Sequence, residues 1–437
     1  MPVLTRSLRT SGILFPMHSQ EQPALTAAVD DKAPVGWGFI AIHALAYAGT
    51  WLALLTPVLV TIALKVRQLA PDDAASNLSL VLGLGAFCAL LGNPVFGRLS
   101  DRTTSRFGMR RPWLVGGMLC GAAALLLIAM ADTIAMVLIG WCLAQLAFNA
   151  VLAAIIAVLP DQVPAQQRGT VAGVLGVCLP LGQVSGTFLV QFVSTSSTVL
   201  MFMAPALFGI AFVLLLALVL PDRRLTGQVP PLRTADLIDV YWVNPKRHPD
   251  FAWAWLSRLL LVLGTAFLNT YQPFYLIDKL GYDEAQIPTL IFRGILVQAV
   301  AIIGFSILGG RLSDAIGRRK IFVFIGAAVY AVGLWIIAAA ADYTMFLLGM
   351  LITGIGHGVY FAVDLALVTE VLPNRLRDAA KDLGILNVAN ALPQAMAPAM
   401  APFILAFTGG SYTWVFLVAG AITLLASFTI LPVKSVR

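Results

Sequence analysis

The sequence predicts an all-α membrane protein with twelve transmembrane helices in two six-helix bundles. Three observations lead there: an apolar composition, twelve long apolar runs, and an internal repeat. Of the 437 residues, 59% are hydrophobic and 11% charged, with a mean hydropathy of +0.89. An average soluble chain is ~25% charged. A water-soluble fold of this composition could not cover its apolar surface, so a secreted, cytosolic or nucleic-acid-binding globular protein is excluded as the main reading.

A membrane helix needs ~20 mostly apolar residues. Residues 1–35 are polar and rich in Ser, Thr, Pro and acidic residues, and we expect a disordered cytoplasmic tail. Its apolar stretch Gly12–Phe15 is too short for a signal segment, and Met17 is an alternative start. Spans one to six fall at 37–63, 77–97, 112–131, 133–158, 169–192 and 198–220. A β-barrel is excluded, because its strands alternate polarity over ~10 residues, unlike the unbroken run Ala122–Ile128. Residues 221–250 form the longest internal polar stretch, rich in proline and basic residues, and read as a cytoplasmic linker. Spans seven to twelve fall at 251–277, 286–309, 320–340, 343–370, 381–406 and 411–431. The organisation is thus an N-terminal bundle (36–220), the linker, a C-terminal bundle (251–432) and a short cytoplasmic tail (433–437).

The net charge is +7 and the pI about 9.4. With the N-terminus inside, 23 of the 28 Lys and Arg residues fall in the tails and loops of that side. Lys65, Arg67 and Lys279 fall outside, and Arg258 and Arg293 fall within spans. This is the positive-inside pattern. It orients a multi-pass inner-membrane protein with both termini cytoplasmic, and it explains the basic excess without a nucleic-acid partner. Cys88, Cys120, Cys142 and Cys178 all lie in apolar spans without metal-ligand spacing and read as small core residues.

The two halves repeat. Gly97-Arg98-Leu99-Ser100-Asp101 recurs as Gly310-Arg311-Leu312-Ser313-Asp314, and Val158-Leu159-Pro160 as Val371-Leu372-Pro373, both offset by 213 residues. Two independent motifs at one offset argue for duplication of a six-helix unit. Such repeats mark secondary transporters, whose site lies near the midplane between halves. The loop after span two runs from Gly97 to Arg111, and the loop after span eight from Gly310 to Arg319. Their glycines let helices approach closely. Asp101 and Asp314 can sit at a helix N-terminus or pair with a neighbouring arginine. Arg102, Arg110, Arg111, Arg318 and Arg319 hold the loops at the anionic leaflet.

On these motifs the chain resembles the major facilitator superfamily over nearly all of residues 36–432. The resemblance implies two bundles that rock about a central site, with Asp101 latching the outward-facing state and Asp314 its weaker counterpart. The longer loop Ser100–Trp113 resembles that of the sucrose symporter and glycoside–pentoside–hexuronide symporter branches. Drug–proton antiporters of the superfamily usually carry an arginine in span four and a Gly-Pro pair in span five. Both are absent here, which counts against drug efflux.

An ionisable side chain inside lipid is costly and is a functional candidate by default. Asp364, in span ten, is the only deep carboxylate by this reading. Arg258, in span seven, sits at a similar depth of roughly 12 Å at 1.5 Å per residue. The two read either as a proton-coupling pair, with Arg258 tuning Asp364, or as a permanent structural ion pair. Arg293 in span eight could bind a substrate hydroxyl or carboxylate, or snorkel outward. Glu370 reads as a gate or cap residue. The resemblance turns spans one, four, seven and ten toward the cavity. Polar stripes at helical spacing lie on those spans: His43, Tyr47 and Trp51; Trp141, Gln145 and Asn149; Asn269 and Gln272; His357 and Tyr360. Span eleven adds Asn387, Asn390 and Gln394. Aromatic faces with amide groups suit a polyhydroxylated ring or another neutral polar solute. Taken singly, each has a plainer reading: interface anchors, helix-to-helix bonds, or satisfied core histidines.

No phosphate-binding loop, metal-spaced cluster or nucleophile triad is present. We expect no enzyme, cofactor or metal site. The expectation is a monomeric secondary transporter in the lipid bilayer. It moves a small polar solute, a sugar or glycoside, by proton symport and alternating access. One alternative is proton-coupled efflux of a metabolite or drug. Another is a sensor or scaffold, which would carry a large soluble appendage or a plugged cavity.

Overall fold

The computed structural model describes residues 33–193, 197–225, 245–371 and 379–434, without the side chains of 165, 365, 366, 368–371 and 379–387. Residues 1–32, most of the linker and Pro373 lie outside the described residues. Twelve helices are long and apolar enough to cross a membrane. In the first half they are α1 (Trp37–Leu69), α2 (Ala74–Asp101), α3 (Arg111–Ala129), α4 (Ile134–Gln162), α5 (Gln166–Val193) and α6 (Thr198–Val219). In the second half they are α7 (Pro249–Lys279), α8 (Glu284–Ile316), α9 (Arg319–Ala339), α10 (Tyr343–Val371), α11 (Ala379–Phe407) and α12 (Tyr412–Thr429).

All twelve apolar runs become helices because hydrocarbon offers no partner for a backbone N–H or C=O. Several helices outrun the apolar stretch that signals them. The Gly97–Asp101 motif, expected in a loop, forms the last turns of α2, and Gly310–Asp314 ends α8 in the same way. Hydropathy sees only the part of a helix that lipid touches, so polar turns beyond it are missed.

Prolines shape the interruptions. Pro57 lacks an N–H, and the turn Pro57–Thr61 widens so that Ile62 N–H reaches the Pro57 carbonyl five residues back. α7 repeats the device: Pro273 precedes a wide turn at Tyr275–Lys279, where Leu280 N–H reaches the Tyr275 carbonyl. Pro180 removes the bond that would satisfy Gly176, and α5 breaks at Val177.

The packing obeys the repeat. In the first half α1 packs on α5 and α6, α2 on α4, and α3 on α4 and α6. In the second half α7 packs on α11 and α12, α8 on α10, and α9 on α10 and α12. This is the first pattern shifted by six helices. The halves meet where α2 lies on α11 and α5 on α8. The windows of α1 and α7 are each 67% buried, the largest shares of the twelve, so these helices are the most enclosed.

Contacts between the halves gather at the end opposite the motif loops. Arg67 of α1 binds Asp278 of α7 and Glu284 of α8, both at 2.8 Å. Phe188 of α5 meets Phe292 of α8, and Pro398 of α11 seats against Gly83 of α2. At the motif face the start of α5 is exposed at Gly169, Gly173 and Gly176, with open space where a Cβ would stand. Among the described residues, the side-chain contacts between the halves thus lie toward the Arg67 face.

The α9–α10 contact depends on four glycines, Gly326 and Gly333 on α9 and Gly349 and Gly356 on α10. A Cβ on Gly356 would stand 2.6 Å from the Gly326 carbonyl, and a Cβ on Gly326 would stand 2.8 Å from Tyr360 N. Both obstacles are backbone and cannot swing away. Gly356→Leu is expected to cost about 1–3 kcal/mol through overpacking, read as a lower midpoint of thermal unfolding in detergent. Gly173→Leu, in open space, should leave the midpoint unchanged.

Candidate functional site

The most buried carboxylate among the described residues, Asp364, lies in the second half. On α10, His357, Tyr360, Phe361 and Asp364 follow helical spacing and share a face. Arg258 of α7 donates from Nη1 to Asp364 Oδ2 at 2.7 Å and from Nε to Asn390 Oδ1 of α11 at 2.9 Å. Asp364 is fully buried and Arg258 nearly so. The second carboxylate oxygen, Asp364 Oδ1, has no hydrogen bond of good distance and angle among the described residues, and the Tyr360 hydroxyl lies in its neighbourhood. The Arg258 guanidinium also lies 5.2 Å from the Phe361 ring centre, a cation–π contact. Phe361 stacks on His357, whose ring meets Tyr330 of α9 edge-on. Ser257 donates to the Ala426 carbonyl of α12 and lies 3.2 Å from the Tyr360 hydroxyl. One arginine therefore ties three helices at a single point.

The polar stripes divide into satisfied and unsatisfied members. His43 Nε2 lies 3.0 Å from the Ile155 carbonyl and ties α1 to α4, while its Nδ1, like Trp51 Nε1 and Trp141 Nε1, is buried without a partner among the described residues. Asn149 donates to the Gln145 carbonyl at 2.8 Å and accepts from Asn93 of α2 at 3.3 Å. Tyr47 and Trp51 meet edge-on and pack against Val171, Leu175 and Cys178 of α5. On α7, Asn269 is half-buried, and Gln272 is fully buried with neither amide atom partnered. Next to it, Tyr271 bonds Ser79 of α2 at 2.6 Å, joining the halves. His357 Nδ1 is likewise buried without a partner. Arg293 is exposed near the Arg67 end of α8 and does not converge with Arg258 and Asp364. Asn387 and Glu370 lie outside the described side chains.

The gating motif builds a compact cluster in the first half. Arg110 binds Asp101 at 2.6 Å and Asp161 of α4 at 2.8 Å, and donates to Ser100 at 2.8 Å. Burial works against the Arg110 charge, but hydrogen bonds and attraction from Asp161 and Asp101 prevail, so its pKa lies above the ordinary value. Asp222 accepts from the Arg110 and Arg111 amides at 2.8 Å, capping α3. Gly108 stands beside it with φ +106, where a Cβ would strike the Asp222 side chain. Arg111 donates to the Leu220 carbonyl at 2.6 Å. Gly97 sits 3.9 Å from Ala153 of α4, and Gly310 3.9 Å from Ala362 of α10, measured from an ideal Cβ. The second-half copy is looser. Asp314 is exposed and 3.9 Å from Arg319, Arg318 is exposed, and the Ser313 hydroxyl has no partner. The repeat puts Asn374 where the first half has Asp161.

Several of these residues escaped the sequence reading. Asp161 directly follows the repeated Val-Leu-Pro motif, which was its available signal. Arg67, Asp278 and Glu284 sit at span ends and gave none beyond their charge. Asn390 was visible only as one amide among several. Among the described residues, no group of three or more His, Cys, Asp or Glu could hold a metal.

The model of the Major Facilitator Superfamily matches residues 39–305 and 294–436. The chain belongs to the major facilitator superfamily. Membership makes it a multi-pass membrane transporter and not an enzyme. Multidrug resistance protein MdtL of Klebsiella pneumoniae (strain 342) is 30% identical over 128 residues, 29% of this chain and 31% of that protein. A triacylglyceride transporter of Mycolicibacterium smegmatis is 32% identical over 148 residues, 32% of this chain and 25% of that protein. The chain thus spans a third or less of the length of these curated relatives. Among solved structures, the nucleoside transporter NupG superposes with a TM-score of 0.69 at 13% identity, covering 90% of this chain and 98% of that one. A D-xylose–proton symporter gives 0.65 at 17% identity over 92% and 98%. At these identities the likeness is one of superfamily fold.

The unequal clusters make a direct contrast. Arg110→Ala strands two carboxylates and a buried hydroxyl and should cost about 3 kcal/mol, whereas Arg318→Ala, at an exposed position, should cost less than about 1 kcal/mol. Thermal unfolding of the two purified variants compares them, and equal midpoints would contradict the asymmetry. At the opposite face, Arg67→Ala should populate states open there. Spin labels at Gln68 and Ala285 would then report longer distances than in the Arg67 protein.

Proposed function

We propose that this superfamily member is a proton-coupled symporter for a small neutral polar solute, a sugar or glycoside, in the inner membrane. The observation that supports the reading most is the buried Arg258–Asp364 pair, whose second carboxylate oxygen has no well-formed hydrogen bond. An unprotonated Asp364 is held by Arg258; a proton on Asp364 weakens that hold and leaves the guanidinium to its neutral partners. The pair can therefore exist in two states, as a coupling site requires. It adds no net charge to the site, which suits a neutral solute. Gln272 and His357 offer unsatisfied donors and acceptors, and Tyr360 and Phe361 offer aromatic surface. The resemblance of the Ser100–Trp113 loop to sucrose and glycoside symporters agrees with this class.

With both termini and the motif loops cytoplasmic, as the basic residues indicate, the Arg67 contacts lie on the outer side, which supports an inward-open reading. The Arg67 clamp is then the outer gate and the Arg110 cluster part of the inner one. The protein acts as a monomer in this reading. A second reading, proton-coupled efflux, draws on the partial similarity to MdtL, a multidrug resistance protein by name.

Uptake of labelled sucrose, maltose and a β-glucoside decides between the two. A potential of about 100 mV supplies ~2.3 kcal/mol per charge, enough for about 50-fold accumulation with one proton. Cells expressing the wild type should concentrate one of the sugars, and a protonophore or Asp364→Asn should abolish the gradient. Accumulation that survives both rejects coupling through Asp364. No uptake of any sugar, with increased resistance to toxic compounds, moves efflux ahead.

A further inference from the structure

We propose that Asn390 is a positioning residue that carries the protonation state of Asp364 to α11. The inference rests on the proton-coupling reading of Asp364. Arg258 has two side-chain oxygen partners, Asp364 Oδ2 on α10 and Asn390 Oδ1 on α11. These helices have different companions. α10 packs on α8 and α9, whereas α11 packs on α7 and, across the halves, on α2. Arg258 thus bridges two packing groups. When Asp364 is charged, it dominates the guanidinium, because attraction between two full charges adds to its hydrogen bond, whereas Asn390 offers only an amide dipole. When Asp364 is neutral, the Asn390 carbonyl oxygen is the stronger remaining acceptor, and Arg258 shifts its hold toward α11.

The form of α11 turns that shift into movement. Pro393, Pro398 and Pro402 lie inside the helix. Pro393 has no N–H to give the Ala389 carbonyl, so the segment carrying Asn390 can tilt independently of the turns beyond. Those farther turns are held elsewhere: Pro398 seats 3.6 Å from the ideal Cβ position of Gly83 on α2. One helix therefore joins the Arg258 site to the interface between halves, with a proline between its two attachments. Around Asp364 the described charged and titratable groups are Arg258 from α7, and Tyr360 and His357 from α10 itself, with Tyr330 of α9 against His357. The described contacts from α8, α11 and α12 are amides, hydroxyls and carbonyls: Gln298 to Thr353, Asn390 to Arg258, and the Ala426 carbonyl to Ser257.

The test uses the full-length protein in nanodiscs, with the proton as ligand. Nitroxide labels at Thr104, just after α2, and Ala315, in the last turn of α8, report opening of that face across an acid-to-alkaline series. The four native cysteines are replaced. The wild type should shift its distance distribution with pH, and Asp364→Asn should hold one distribution throughout. Asn390→Ala and Asn390→Leu, which lack an acceptor, should lose most of the shift while keeping the wild-type unfolding midpoint. Asn390→Gln should restore the shift. A full shift in the acceptorless variants overturns the role of Asn390 and leaves coupling at Asp364 standing. A shift retained by Asp364→Asn, or absent from the wild type, overturns the underlying reading instead. Should the acceptorless variants fail to fold, Asn390→Asp decides. A second carboxylate on the same guanidinium should move the midpoint of the distance shift, and an unmoved midpoint overturns the proposal.

Discussion

A charge pair inside a lipid-facing bundle is the constraint on which the second half is organised. Removing one ion from water into a medium of low polarity costs several kcal/mol even after relaxation. Arg258 and Asp364 meet that cost with a 2.7 Å contact, and Arg258 finds further partners in Asn390 and the Phe361 ring. Helices α7, α10 and α11 must therefore keep their relative heights. The ring stack of Phe361, His357 and Tyr330 continues the same line into α9. A well-packed apolar pair would serve stability as well or better. Its retention here is understandable if the charges are there to be switched.

The duplicated packing gives that switch a frame. Each half repeats the same neighbour pattern, and each opening helix bends after a proline, Pro57 in α1 and Pro273 in α7. The halves are not equivalent in chemistry. The first half carries the tight Arg110 cluster and a chain of mutually bonded amides, whereas the second carries the Arg258 pair and the unsatisfied Gln272. Among the described residues, one half thus has the Arg110 charge cluster and the other the membrane-buried ion pair. The Arg67 clamp and the Tyr271–Ser79 bond hold the halves together toward the face opposite the motif loops.

Much of the fold was legible in the sequence because lipid enforces one rule on every span. Twelve apolar runs gave twelve helices, and the 213-residue offset foretold the repeated packing. Boundaries were less legible: the Gly97–Asp101 turns are helical yet polar, and hydropathy ends where lipid ends. The Arg258–Asp364 contact could be read from depth, since counting residues from a helix end gives height in the membrane. Counting does not give the direction a side chain faces. Asn390 therefore stood beside Gln394 and Asn387 as one amide among three, and Arg293, at a plausible depth, turned out exposed. Asp161 and Asp222 bind the gating loop from distant parts of the chain, and nothing in the loop itself announces them.

The central claim is that Asp364 takes up and releases a proton within the membrane. Difference infrared spectra of the reconstituted protein, recorded between alkaline and acidic buffer, test it without knowledge of the solute. A carbonyl band of a protonated carboxylic acid should grow on acidification in the wild type and be missing in Asp364→Asn. An identical set of carboxyl bands in both proteins would show that Asp364 keeps one protonation state, and the pair would then be structural.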